Sequence, residues 1–137
     1  MKRTVITAVL FAFGLLLHAQ EEKVQIIFDV TSKNTDVHES TIRHITLMAE
    51  TYKESDFQVI VYSGALKMLQ KEGSTVKEQV EALAKKDNVT FSACALTMKR
   101  YKINEDDLIN GVESVPNALL EIVNKQKQGW GYIKESQ

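Results

Sequence analysis

The strongest constraint on this chain is an alternation. Short apolar runs rich in β-branched residues are separated by segments whose apolar residues recur at helical spacing. Lys23 to Val30 (KVQIIFDV), Asp56 to Tyr62 (DFQVIVY) and Val89 to Leu96 (VTFSACAL) are the clearest runs. In the first, Val24, Ile26 and Phe28 share one side-chain phase and Ile27 takes the other. That pattern suits a central strand covered on both faces. Val112 to Val115 predicts a brief fourth strand and Trp130 to Lys134 a last one.

The intervening segments read as helices. Ile42, Ile45, Met48, Ala49 and Tyr52 predict a helix over about residues 37–53, capped by Asp36. Ala65, Leu66, Met68 and Leu69 start a short helix that Gly73 ends. Val76, Val80, Leu83 and Ala84 give the next helix its apolar face, with Ser74 or Thr75 as cap. Asn104 to Ile109 reads as one more short helix. Beyond Pro116, which suits a first helical turn, Leu119, Ile122, Val123 and Gln126 predict one buried face, ended by Gly129. Strands separated by helical crossovers imply an α/β three-layer sandwich with a mostly parallel sheet of about five strands.

Residues 1–19 are expected to lie outside that fold. Lys2 and Arg3 precede an apolar run from Val5 to Leu17, and Ala19 is a small residue suited to the position before a cut. This is the pattern of a secretory signal peptide, and the run is short for a membrane anchor. Leu17 is an imperfect residue for the third position before the cut. No Cys follows the run to carry a lipid anchor. The expectation is a single domain over residues 20–137, periplasmic or secreted, with no membrane span after cleavage.

Composition excludes several function classes. Lys plus Arg is 17, Asp plus Glu is 18 and the net charge is -1, so a nucleic-acid partner held by phosphate neutralisation is not expected. One Cys excludes an intramolecular disulfide framework and a Cys-rich zinc site. His38 and His44 are six apart and do not share a helix face cleanly, so no metal site is expected; a solvated residue at the start of the helix is the plainer reading of His38. No glycine-rich phosphate loop is present, and no cofactor is expected. Glu105, Asp106 and Asp107 fit the first turn of a helix without a metal.

Fold class alone selects candidate site residues. Open parallel sheets bind ligands beyond the carboxyl ends of their strands. Lys33 and Asn34 follow the first strand, Ser63 and Gly64 the second, Cys94 and Thr97 the third, and Pro116 and Asn117 the fourth. The only thiol therefore falls at the rim where a site is expected, near helix N-termini that favour a thiolate. The competing reading is a small buried hydrophobe. Trp130 and Tyr132 share one phase of the last strand, which fits core or a subunit interface. If that strand lies at the sheet edge, association of copies would cover it.

Three segments carry a family resemblance: Tyr62-Ser63-Gly64-Ala65, Cys94-Ala95-Leu96-Thr97-Met98 and Gln128-Gly129-Trp130-Gly131-Tyr132-Ile133. From about Val24 to Lys134 the chain resembles the DsrE/DsrF-like family of small sulfur-metabolism proteins. The resemblance implies a flavodoxin-like sandwich that assembles into homo-oligomers such as trimers or hexamers. It also implies that Cys94 matches a cysteine that accepts and passes on sulfane sulfur as a persulfide. The signal peptide departs from the cytoplasmic relatives and excludes a role in tRNA thiolation there. The sulfur donor and acceptor stay open. The Ser63 and Thr97 hydroxyls and the N–H groups around Gly64 are candidate donors to the sulfur. With no second Cys, the resolving thiol must come from another molecule. Three readings follow: an exported sulfur carrier using Cys94, a non-catalytic oligomeric binding module of the same fold, and a redox-sensing thiol.

Overall fold

The computed structural model describes residues 23–136. The expected signal peptide, residues 1–19, lies outside the described residues. Five strands alternate with helices: β1 (Gln25–Val30), α1 (Thr35–Thr51), β2 (Asp56–Val61), a 3-10 helix (Ser63–Leu69), α2 (Lys77–Leu83), β3 (Val89–Cys94), α3 (Ala95–Tyr101), a second 3-10 helix (Glu105–Asp107), β4 (Glu113–Val115), α4 (Ala118–Lys127) and β5 (Gly131–Glu135). All strand pairs are parallel, in the order β4-β3-β2-β1-β5. Among the described residues no helix is long and apolar enough to cross a membrane.

The order dictates unequal layers. From β1 to β4 the chain steps in one direction, then reverses to lay β5 on the far side of β1. Right-handed crossovers put connections of opposite direction on opposite faces. The larger core accordingly joins Phe28, Val30, Phe57, Val59, Val61, Phe91 and Ala93 to Ile45 of α1 and Val80 of α2. The other face holds a small cluster of Ile27, Ile60, Cys94, Ala118 and Ile122, covered by α4. The connections that leave β3 and β4 run on opposite faces, so their carboxyl ends flank the topological switch point, where open sheets form crevices.

Several local expectations are corrected. Asn34, not Asp36, caps α1, accepting a hydrogen bond from the Asp36 N–H at 3.0 Å. Neither Ser74 nor Thr75 occupies the cap of α2; Val76 does, and Ser74 instead bonds the Met68 carbonyl and the Val76 N–H. The third strand stops at Cys94 because α3 begins at Ala95. Asn104 and Asp107 close a reciprocal capping box around a single 3-10 turn, shorter than the helix expected there. The buried face of α4 is Ala118 and Ile122, while Leu119, Leu120 and Val123 face outward at 60%, 56% and 44% exposure. His38 is buried, not solvated, and its Nε2 donates to the Ser32 carbonyl at 2.8 Å. A carbonyl only accepts, so that bond fixes the proton on Nε2.

Candidate functional site

The site grows from four neighbouring strand ends. β4, β3, β2 and β1 are consecutive in the sheet, so the turns that leave their carboxyl ends meet along one rim. Cys94 ends β3 and occupies the N-cap position of α3. Its side chain points to the thin face and is only 4% exposed. Ala118, the first residue of α4, directs its N–H at the sulfur from 3.4 Å. Asn117 caps α4 by accepting from the N–H groups of Leu119 and Leu120, which leaves the Ala118 N–H free for the thiol. Pro116 precedes this cap and is exposed.

Polar groups surround the sulfur. Burial alone would raise the thiol pKa, but the N–H of Ala118, the N–H and hydroxyl of Thr97 and the N–H of Leu96 outweigh it. The Cys94 thiol is held below its ordinary value. Hydrogen bonds to the charged form of a group act in this direction.

Ser63 stands beside this cradle. Its backbone is left-handed, with φ 56, which is uncommon for a residue other than Gly. Its N–H donates to Thr97 Oγ1 at 3.3 Å, tying the end of β2 to the first turn of α3. The next residue must be small. A Cβ on Gly64 would lie 3.3 Å from the Thr31 carbonyl oxygen and 3.4 Å from Lys33 Cβ. Gly64 thus lets the β1 and β2 turns approach each other. Lys33 and Asn34 are exposed on the β1 turn, and the Asn34 side chain is engaged in capping α1. The structure therefore joins Ser63 to Thr97, which stands in the first turn of α3 beyond Cys94. Asn117 acts on the thiol through Ala118, and Lys33, Asn34 and Pro116 stand further out on the rim.

A second constellation on the same face escaped the sequence reading. Asp29 is buried, one residue before the end of β1. Its Oδ2 accepts from the Tyr132 hydroxyl at 2.6 Å and from the Tyr62 hydroxyl at 3.5 Å. Its Oδ1 accepts from Lys134 Nζ at 3.1 Å, and the same ammonium reaches Thr31 Oγ1 at 2.7 Å. Burial, followed by the Asp29 charge, pushes the Tyr62 hydroxyl up to about 12. The hydrogen bond to Asp29, followed by burial, pushes Tyr132 up to about 12. Tyr62 also packs on the cluster that contains Cys94, so the two constellations adjoin. The available signal was Asp29 itself, a lone carboxylate in an apolar run, which a buried strand position tolerates only with partners.

Two surface concavities lie elsewhere. A groove of about 530 Å³ runs between α1 and α2, beside Ile42, Arg43, Val76 and Gln79. Another of about 700 Å³ is lined by Lys67, Gln70, Asp106 and Asp107. Among the described residues no group of three or more His, Cys, Asp or Glu side chains is arranged to hold a metal ion.

Comparison with known proteins agrees with this fold. The model of the DsrE/DsrF-like family matches residues 13–134. A protein of unknown function, MTH1491 from Methanobacterium thermoautotrophicum, superposes with a TM-score of 0.76 at 24% identity, over 82% of this chain and 99% of that one. The ychN protein from E. coli gives a TM-score of 0.66 at 19% identity, over 82% and 98%. BT1422 from Bacteroides thetaiotaomicron, also of unknown function, gives 0.66 at 13% identity, over 80% and 93%. At these identities the structures share the fold. No curated protein matches the chain.

Proposed function

The chain belongs to the DsrE/DsrF-like family, and from that premise we propose that it accepts sulfane sulfur on Cys94 and hands it to a thiol acceptor. The observation that carries this reading is the polar cradle at the rim of the sheet, where the Ala118, Leu96 and Thr97 groups favour a thiolate. The Cys94 thiolate attacks the outer sulfur of a donor R–S–SH. One S–S bond forms as Cys94–S–SH, the donor's S–S bond breaks, and the electron pair leaves on R–S⁻. An acceptor thiolate then attacks the terminal sulfur and regenerates the Cys94 thiolate. Neither step is a net oxidation, and no cofactor enters. The residues at 1–19 suit export, so the donor and acceptor of this proposal are outside the cytoplasm.

Assembly of copies is part of the proposal. The thin face is covered by one helix, whose outward Leu119, Leu120 and Val123 are exposed, and β5 is an edge strand. A homo-oligomer such as a trimer or hexamer would cover them.

A second reading is favoured by one observation, the burial of Cys94 among Ile27, Ile60, Ala118 and Ile122. In it the chain is a non-catalytic oligomeric binding module and Cys94 fills space. Intact mass after incubation with a sulfane sulfur donor separates the two. The carrier gains one reductant-labile sulfur on folded protein, absent from Cys94→Ser; the binding module gains none.

A further inference from the structure

The two edges of the sheet are not alike. β4 is three residues long and carries the exposed Glu113, a short and charged edge that resists pairing. β5 is five residues long, contains no Pro and keeps unbroken register with β1 from Gly131 to Glu135. Among the described residues its outer edge pairs with no strand. Its two charged side chains are both turned back into the chain. Lys134 Nζ is bound to Asp29 Oδ1 at 3.1 Å and to Thr31 Oγ1 at 2.7 Å. The Glu135 carboxylate is buried and meets His44 Nδ1 at 2.9 Å. Neither charge is left to guard the open backbone. Apolar groups flank that edge on both faces. Ile133 is 39% exposed on the face of the larger core, where it and Leu47 of α1 line a concavity of about 350 Å³. Tyr132 is 42% exposed on the thin face.

We propose that β5 is the contact surface for a second copy of this chain: the two β5 strands pair antiparallel about a two-fold axis at Ile133 and join two sheets into one. The inference rests on the reading that copies associate, and it adds the strand and the symmetry. The residues of the strand select the orientation. A parallel pair in register sets Lys134 level with Lys134 and Glu135 level with Glu135, and like charges directly opposite are destabilising. The antiparallel pair centred on Ile133 uses every residue of the strand. It sets Ile133 opposite Ile133, Tyr132 opposite Lys134 and Gly131 opposite Glu135, so no like charges face each other. The axis stands perpendicular to the sheet, which keeps the larger cores of both copies on one side. Each Ile133, with Leu47 beside it, then meets its own copy across the seam. On the thin face, Tyr132 and Lys134, which share Asp29 within one chain, stand beside those of the second copy. A contact of this symmetry occurs in a dimer or in a hexamer made of two trimers, and not in a single ring of three.

The test is disulfide trapping on folded protein that also carries Cys94→Ser, so that the introduced thiol is the only one. Directly opposed residues of an antiparallel pair have Cα atoms about 4.5–5.5 Å apart, within disulfide reach, whereas diagonal neighbours at about 7–8 Å are outside it. Ile133→Cys is therefore expected to link two chains under mild oxidation. Tyr132→Cys and Lys134→Cys are each expected to link about tenfold more slowly alone, and to link readily to each other when co-expressed. Light scattering on the unaltered protein gives the number of copies, and hydrogen exchange reads the β5 amides at the same concentrations. The outward amides of β5 are expected to exchange about tenfold more slowly in assembled protein than in single chains. This second measurement decides if a variant fails to fold. In assembled protein, Ile133→Cys linking no faster than Tyr132→Cys alone overturns the pairing, as do freely exchanging β5 amides; association then runs through another face. Single chains at every concentration overturn the pairing and the association together. Single chains whose β5 amides still exchange slowly overturn the pairing and assign the edge to another segment.

Discussion

The Tyr132 hydroxyl donates to the buried Asp29 carboxylate at 2.6 Å, joining edge strand β5 to central strand β1 on the thin face of the sheet. Lys134 Nζ approaches the other Asp29 oxygen at 3.1 Å. Two residues of the last strand thus neutralise and hydrogen-bond a carboxylate that the core could not hold alone. Asp29→Ala leaves both donors without their acceptor. It is expected to lower unfolding stability by about 2–3 kcal/mol, and Tyr132→Phe by about 1 kcal/mol because Tyr132 is partly exposed. Urea denaturation of each variant beside the parent checks the order.

The same network sets an alkaline limit. Tyr62 and Tyr132 are both raised from the ordinary 10.0 to about 12. A group whose folded pKa exceeds its unfolded value contributes stability that is complete below the unfolded value and is lost as pH rises through the folded one. Stability is therefore expected to fall between pH 10.0 and about 12. Tyrosinate absorbance should appear later in folded than in unfolded protein. The variant Tyr132→Phe should lose part of this dependence in thermal melts across that range.

The cap of α4 sits at the thiol, so it couples helix and site. Asn117→Ala removes the acceptor for the Leu119 and Leu120 N–H groups. The expected cost is about 1 kcal/mol. Because Ala118 carries the N–H that faces Cys94 at 3.4 Å, the thiol midpoint should also rise. Alkylation against pH and a denaturant series on one sample read both effects. A stability loss with an unmoved midpoint would separate the cap from the thiol.

The outward face of α4 makes a prediction about assembly. Leu120 is 56% exposed and takes no part in the small core. Leu120→Glu is expected to leave the fold and stability nearly unchanged and to reduce the assembled mass seen by light scattering. An unchanged mass would show that this face makes no contact between copies.

The period of the apolar residues made the fold class legible, since β-branched runs and helical spacings alternate along residues 23–136. The rim residues were legible for the same reason, because parallel strands bring their carboxyl ends to one edge. What escaped was decided by residues far apart or by ambiguous spacing. The run Val89 to Leu96 stays apolar through Ala95 and Leu96, so the change from β3 to α3 left no mark in hydropathy. In α4, apolar residues occupy both faces, and periodicity could not tell Ala118 and Ile122 from Leu119 and Val123. Asp29 finds Tyr132 across 103 positions, a partner that no local pattern announces. Ser63 shows its left-handed backbone only once β2 and β3 are side by side.

The central claim is that Cys94 carries sulfur rather than fills space. Its most direct measurement is a single-turnover chase. The protein is loaded with isotopically labelled sulfane sulfur, freed of donor, and mixed with a small thiol acceptor, with Cys94→Ser alongside. The account predicts label on folded protein, none on the variant, and movement of the label onto the acceptor with return of the free thiol. Absence of label on folded protein, with the thiol modified only after unfolding, would contradict it.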